Sequence, residues 1–451
     1  MNYSETIEYL YHAAPLFQNI GAGAYKEGLA TTLSLDKHFG HPHRHFRTIH
    51  VAGTNGKGSV SSSLAAILQS AGLRVGLYTS PHLVDFRERI RVDGQMISKE
   101  RVVGFVEQER AFFEPLHPSF FELTTTLAFL YFAEQQVDVA VVEVGLGGRL
   151  DCTNIIRPDL SIITNISFDH QQFLGTTLPQ IAAEKAGIIK DGVAVVVGET
   201  NDHDDVRQVF LETAVEKGCR IRFASEEPIA EVACQLQGAY QYANMRTVQC
   251  AVSELRRQPF YAPLLTDEAV ACGLAHVMEL TGLRGRWQQL RRHPALVCDA
   301  GHNEAGIWYV VGQLLKQPCN RLHIVFGMVG DKDYDAAARL LSRLLCRPTA
   351  FYFTQPSCLR ALPATELAAA FLAANAQSAG TPSANQLPTD AERQTPLAVQ
   401  TFTTVRTAVE SALTAASDDD FIFVGGSCYV VADLLEMFEL SGKSGLEDAD
   451  A

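Results

Sequence analysis

Short runs of aliphatic and β-branched residues recur along the chain, and longer stretches with apolar positions at helical spacing separate them. Arg47–Gly53 ("RTIHVAG") is strand-like, and Ser59–Gly72 ("SVSSSLAAILQSAG") reads as a helix that stops at a glycine. Further strands are expected at Arg74–Ser80, Val137–Gly145, Asp159–Ser167 and Gly192–Thr200, with Glu122–Gln136 apolar at helical spacing between them. Strands that are apolar on both faces and alternate with helices predict a mostly parallel sheet covered on both sides. The pattern weakens after Thr200 and restarts at Pro294–Gly301, Arg321–Gly330, Thr349–Pro356 and Asp420–Ser427. A second, smaller α/β domain is therefore expected, with the boundary near Glu279–Trp287. The stretch Ala373–Pro396, rich in small and polar residues and proline, is expected to be a long surface excursion.

Composition narrows the function classes. A chain of 451 residues with 47% hydrophobic positions has enough apolar material for two cores. The formal net charge of −14 argues against a nucleic-acid partner. It leaves room for small anionic ligands, because a local set of cations and N–H groups can override the global sign. The ten cysteines include no C-x-x-C pair, which reads as a reduced, cytoplasmic protein. The first residues lack a secretory signal pattern, and the longest apolar runs are strand-length, so no membrane partner is expected.

The first candidate site is "GTNGKGS", Gly53–Ser59, between a strand and a helix. Gly53, Gly56 and Gly58 carry no Cβ, so backbone N–H groups can close around phosphate oxygens, and the following helix points its positive end there. Lys57 supplies a cation for the outer phosphates. The spelling departs from the usual pattern, because Gly58 follows Lys57 and the hydroxyl arrives one place late at Ser59. The alternative is a glycine-rich turn with a solvated lysine. The fold class read from these features is α/β: an N-terminal P-loop-type mostly parallel sheet domain (residues 1–282) plus a smaller C-terminal Rossmann-like α/β domain (283–441) and a flexible tail (442–451).

In open parallel sheets ligands bind beyond the carboxyl ends of the strands. Ser80, Glu143, Asp169 and His170 all follow or end predicted strands. Ser80 and Pro81 could form a turn or a helix start, and Asp169 could cap a helix. Glu143 is harder to dismiss, since an unpaired carboxylate in so apolar a run is costly. A hydroxyl, a carboxylate and an imidazole on one rim suit Mg²⁺ beside a nucleotide. Lys185 sits in the last turn of a predicted helix, where a lysine favours the helix dipole, and taken alone it carries no more than that. In the second domain Asp299, His302 and Asn303 follow a strand. Asn303 reads as a helix cap, and Arg284 and Arg286 flank Gly285 upstream.

Taken in order, "HVAGTNGKGSV", "LYTSPHLVDFRERIRVDG", "SFFELTTTLAFLYF", "VVEVGLGGRLDCTN", "TNISFDHQQFLG", "IAAEKAGIIK", "LRGRWQ", "CDAGHNEAG" and "VFGMVGDKD" cover most of the chain. In these motifs the chain resembles the folylpolyglutamate synthase/dihydrofolate synthase family, a branch of the ATP-dependent Mur-type ligases. An extra glycine after Gly-Lys is normal in that family. The resemblance implies ATP at Asn55, Gly56, Lys57, Gly58, Ser59, Asn244, Arg286 and Asp299. It implies two Mg²⁺ ions, one at Ser80 and Glu143 and a second at His170, and a carbamylated Lys185. It places the pteridine-bearing acceptor at Ser119, Phe120, Phe121 and Glu122 and at Leu150, Asp151 and Cys152. Lys57, Lys185 and His302 are then the catalytic residues. The implied activity joins L-glutamate to dihydropteroate or tetrahydrofolate through an acyl phosphate, in a monomer. A Mur-type cell-wall ligase shares the mechanism and differs in substrate. A nucleotide sensor that does no chemistry would have no use for Ser80, Glu143, His170 and Lys185 together.

Overall fold

The computed structural model describes residues 1–13, 28–200, 203–228, 230–378 and 397–440. Within them the chain divides into two compact units, one made of Met1–Leu236 and Tyr240–Leu283, the other of Gln237–Ala239 and the residues from Arg284 onward. The expected tail and residues 379–396 of the expected excursion lie outside the described residues. Residues 373–378 are not an excursion but the end of the helix Ala364–Ser378, an alanine-rich run whose helix propensity outweighs its small polar side chains.

The first unit is built on an eight-stranded sheet. Its strands are β1 (Arg47–Ala52), β2 (Val75–Tyr78), β3 (Ile90–Val92), β4 (Gln95–Met96), β5 (Val139–Glu143), β6 (Leu160–Asn165), β7 (Val195–Glu199) and β8 (Ile221–Phe223), in the order β4-β3-β2-β5-β1-β6-β7-β8. All neighbours run parallel except β3 and β4, which form an antiparallel edge. That hairpin turns on Asp93-Gly94, both at positive φ, the residue pair a tight two-residue turn demands. The hydrophobic pattern did not anticipate this edge or the short β8, because three-residue runs carry no readable period.

β1 is central, paired with β5 on one side and β6 on the other. Its Ile49 and Val51 face a core shared with the helix Lys57–Ser70. That helix is buried from Ser59 to Leu68, which explains its run of small residues. The neighbouring helix Asp267–Ala275 crosses so closely that a Cβ on Gly273 would come within 2.5 Å of the Ile67 Cα. The opposite face of the sheet packs on an aromatic core that includes Phe105, Phe120, Phe129 and Phe132.

The second unit holds a six-stranded sheet, β9 (Gln288–Arg291), β10 (Ala295–Asp299), β11 (Leu322–Phe326), β12 (Thr349–Phe353), β13 (Ala398–Thr401) and β14 (Phe421–Gly425), in the order β13-β12-β11-β14-β10-β9. Only β9 runs antiparallel. Strands β9 and β13 sit at the edges and are half polar, so they lacked the apolar signature of the central strands. Among the described residues no helix is long and apolar enough to cross a membrane.

Candidate active site

The loop after β1 is shaped by two glycines with no room for a side chain. Gly53 (φ 145°) and Gly56 (φ 84°) lie at positive φ. A Cβ on Gly53 would fall 1.9 Å from Thr164 Oγ1, and one on Gly56 2.2 Å from Asn244 Oδ1. The loop is tied to the end of β6. The Asn55 N–H donates to Asn165 Oδ1 at 2.8 Å, Thr54 N–H to the Asn165 carbonyl at 3.0 Å, and Thr54 and Ser167 exchange two hydrogen bonds. Gly56 is the N-cap of the helix Lys57–Ser70. The additional Gly58 is therefore the second residue of a helix, and the loop itself ends before it. Ser59 is buried and accepts from Gln241 Nε2 at 3.1 Å; Gln241 in turn takes Asn244 Nδ2 at 2.8 Å. Sequence reasoning named Ser59 and Asn244 but missed Gln241, which links them.

Two lysines converge on one carbonyl of this loop. Lys57 Nζ donates to the Gly53 and Thr54 carbonyls at 3.0 and 3.1 Å. Lys185, in the last turn of the helix Leu178–Ala186, is 4% exposed and donates to the same Gly53 carbonyl at 3.0 Å. Burial, followed by the positive charge of Lys57, holds the Lys185 amine down at about 7. A lysine that merely complemented a helix dipole would sit in water, so the local reading of Lys185 fails on burial.

Glu143 ends β5 directly beside Val51 of β1, is buried, and accepts the Ser80 N–H at 3.3 Å. Ser80 and Glu143 are thus neighbours through the Ser80 backbone. His170 (φ 49°) is the N-cap of the short helix Gln171–Leu174, with its ring 3.8 Å from the Asp169 carboxylate. Asp169 lies one residue before that N-cap, and its Oδ1 accepts from the adjacent His170 N–H. Among the described residues no three His, Cys, Asp or Glu side chains gather closely enough to hold a metal by themselves. One buried carboxylate with a neighbouring serine nevertheless fits Mg²⁺, which keeps most of its ligands as water and phosphate oxygen.

The positions assigned to the acceptor are partly structural. Ser119 and Glu122 form a reciprocal capping box at the start of the helix Phe120–Glu134, and Glu122 also accepts from Thr32 at 3.3 Å. Phe120 is buried, with the Arg89 guanidinium 5.1 Å above its ring. Phe121 is half-buried and its ring lies over Gly145, where a Cβ would approach to 2.4 Å. Asp151 is buried and takes four donors: Gly145 N–H (3.0 Å), Leu146 N–H (2.9 Å), Thr153 N–H (3.0 Å) and the Thr153 hydroxyl (2.5 Å). Burial pushes its carboxyl upward against the pull of those bonds, and it pushes the Cys152 thiol well above the usual range. Leu150, just before them, is half-buried.

In the second unit Asp299 ends β10 and is buried, accepting the N–H groups of Trp287 and Gly301 at 2.8 Å each. Asn303 caps the helix Glu304–Leu314 through a 2.9 Å bond from the Gly306 N–H, as expected. His302 Nδ1 lies 3.1 Å from the Ala300 carbonyl, and Arg286 donates to the Gly285 carbonyl at 3.2 Å.

Residues 51–254 match the Mur ligase middle domain, and residues 285–428 the Mur ligase glutamate ligase domain. A dihydrofolate synthase/folylpolyglutamate synthase of Bacillus subtilis is 35% identical over 347 residues, 71% of this chain and 79% of that one. The Escherichia coli FolC structure in complex with DHPP and ADP superposes with a TM-score of 0.82 at 26% identity, covering 98% of this chain and 99% of that one. A bifunctional folylpolyglutamate synthase/dihydrofolate synthase with Mn, AMPPNP and L-glutamate bound gives 0.79 at 28% identity, over 97% and 98%.

Proposed function

The chain belongs to the folylpolyglutamate synthase/dihydrofolate synthase family of Mur ligases, ATP-dependent enzymes that form a carbon–nitrogen bond to glutamate, and from that premise we propose a reaction for its own residues. A carboxylate oxygen of dihydropteroate or tetrahydrofolate attacks the γ-phosphorus of ATP; ADP leaves and an acyl phosphate forms. The amine of L-glutamate then attacks the acyl carbon, loses a proton, and phosphate departs as the amide is completed. No protein nucleophile is needed, so the protein's task is positioning and charge neutralisation.

The observation that carries this reading is the convergence of Lys57 and Lys185 on the Gly53 carbonyl at a glycine-shaped loop. The Lys57 cation and a helix N-terminus aimed at one spot suit a polyanion, and the Lys185 amine, held at about 7, lies beside them. In this reading the N–H groups of Gly56–Ser59 hold phosphate oxygens, Asn55, whose own N–H is taken by Asn165, lines the loop, and Lys57 swings from its carbonyls to the γ-phosphate. Asn244, beside Gly56, and Arg286 and Asp299 serve the nucleotide. Ser80 and Glu143 would hold one Mg²⁺ and His170 a second; the bound metal supplies neutralisation of phosphate charge. Phe121 offers aromatic surface for the pteridine, while Ser119, the buried Phe120, Glu122, Leu150, Asp151 and Cys152 shape its surroundings. His302 orients the acyl phosphate.

Lys185 is proposed to react with CO₂. Its neutral amine forms a new N–C bond and releases a proton, leaving a carbamate anion. An amine held at about 7 is the form that can do this near neutral pH. All ten cysteines are free thiols, which supports a cytoplasmic location. Light scattering tests the expected monomer. The decisive experiment is product analysis with ATP, Mg²⁺ and L-glutamate against dihydropteroate, tetrahydrofolate and a UDP-linked sugar acceptor. Glutamylated pteroyl product supports the assignment, and turnover of the UDP-sugar alone overturns it.

A further inference from the structure

His50 lies at the centre of β1, fully buried, between Val142 of β5 and Ser161 of β6. Its Nε2 is 2.8 Å from Thr153 Oγ1. The Thr153 hydroxyl in turn donates to Asp151 Oδ1 at 2.5 Å. A hydroxyl has one proton, and the acceptor-only carboxylate takes it. His50 must then be the donor to Thr153, which places its proton on Nε2 and leaves Nδ1 bare. That Nδ1 is buried and has no hydrogen-bond partner among the described residues. Burial, reinforced by the charge of Lys190, pushes the ring down to about 3, so it stays neutral at every pH the enzyme meets. An unpaired buried acceptor destabilises the fold, and an apolar residue would avoid it. Packing therefore does not account for an imidazole here; its Nε2–H does.

That proton starts a directed chain. His50 gives to Thr153, Thr153 gives to Asp151, and Asp151 Oδ2 takes the N–H groups of Gly145 and Leu146. Both carboxylate oxygens already accept two hydrogen bonds, so Asp151 has no lone pair left for a substrate. It acts on the loop, not on the ligand. The loop it shapes begins two residues after Glu143, supports the Phe121 ring at Gly145, and closes at Leu150–Cys152. The phosphate loop is held by a different set, Thr54, Asn55, Thr164, Asn165 and Ser167.

We propose that His50 is a positioning residue for the pteroyl acceptor, fixing the Gly145–Cys152 loop to the central strand through Thr153 and Asp151. The inference rests on the assignment of Phe121 and Leu150–Cys152 to the acceptor site. Its test is equilibrium titration of the full-length, ADP-loaded enzyme with dihydropteroate and with tetrahydrofolate, alongside ADP affinity and KM for both substrates. His50→Leu and Thr153→Val should each weaken acceptor binding by about tenfold and change ADP affinity by less than about twofold. The double variant should be no weaker than the worse single one, since both break one chain. Thr153→Ser, which keeps the hydroxyl, and His50→Gln, which keeps an N–H donor, should recover most of the affinity. Equal losses for acceptor and ADP, additive effects, or wild-type acceptor binding by Thr153→Val overturn the proposal. Thr153→Val is near-isosteric and carries the test alone should His50→Leu not fold. Phe121→Ala separates the two levels. If it leaves acceptor binding unchanged, the acceptor-site assignment fails and the proposal with it. If it weakens binding while the His50 and Thr153 variants do not, only the proposal fails.

Discussion

Replacing Lys185 by methionine should abolish ligation and yet stabilise the first unit. The Lys185 amine is buried against the Gly53 carbonyl and held at about 7, compared with 10.5 for the unperturbed amine. The folded-state value of this base is depressed, so the unfolded chain binds more protons between those two values. Stability of the wild-type protein must then rise as pH climbs through that window, and the penalty is fully present below about pH 7. At 1.36 kcal/mol per unit the penalty approaches ~5 kcal/mol at low pH and falls to about 2 kcal/mol by pH 9. Methionine keeps the apolar stem and loses the Nζ–carbonyl bond, worth about 1 kcal/mol. The variant should therefore be more stable by about 3 kcal/mol at pH 7, with the advantage shrinking as pH rises. Both tryptophans, Trp287 and Trp308, belong to the second unit, so their fluorescence does not report on this site. The assay is hydrogen exchange of β1 and β6 peptides, or pulse proteolysis of the first unit, from pH 6 to 9 in CO₂-free buffer. A destabilised Lys185→Met protein at pH 7, or parallel pH profiles for the two proteins, would refute the reasoning.

Three further outcomes are expected. Lys57→Ala should fold normally and lose ATP-dependent ligation, checked by phosphate release with each acceptor; near-normal turnover would sink the phosphate-loop assignment. Gly56→Ala puts a Cβ 2.2 Å from Asn244 Oδ1 at a positive φ, so ADP affinity measured by calorimetry should fall by more than about tenfold. Glu143→Gln keeps the shape of a buried side chain that accepts from Ser80, so thermal stability should hold while the Mg²⁺ concentration for half-maximal activity rises steeply. An unchanged Mg²⁺ titration would remove Glu143 from the metal site.

Much of the candidate site was readable before any fold was known, because the features of a phosphate-binding loop are local. Glycines that admit a backbone, a lysine and a helix start lie within Gly53–Ser59, and strand ends such as Ser80 and Glu143 follow from the rule that parallel sheets bind ligands at their carboxyl edge. The α/β class was readable for the same reason, since β1, β5, β6 and β7 are apolar on both faces and leave a continuous hydrophobic run. The edges were not. β3, β4, β8, β9 and β13 are short or half polar, and their place depends on a neighbour that supplies the missing hydrogen bonds.

Tertiary structure decided what depends on distance. Local spacing assigned Lys185 to a helix end; its contact with Gly53, far away in sequence, makes it a buried amine of altered basicity. Asp151 read as a ligand contact, whereas its four donors come from residues that only the folded loop brings to it. His50 opens the motif "HVAGTNGKGSV" and Gln241 lies three residues before Asn244, yet neither was assigned to the site, and their partners appear only where Thr153 and Ser59 meet them. Residue type and local spacing set which chemistry the chain can do. Burial and long-range hydrogen bonds, which no local pattern encodes, set the protonation, orientation and partners of the groups that do it.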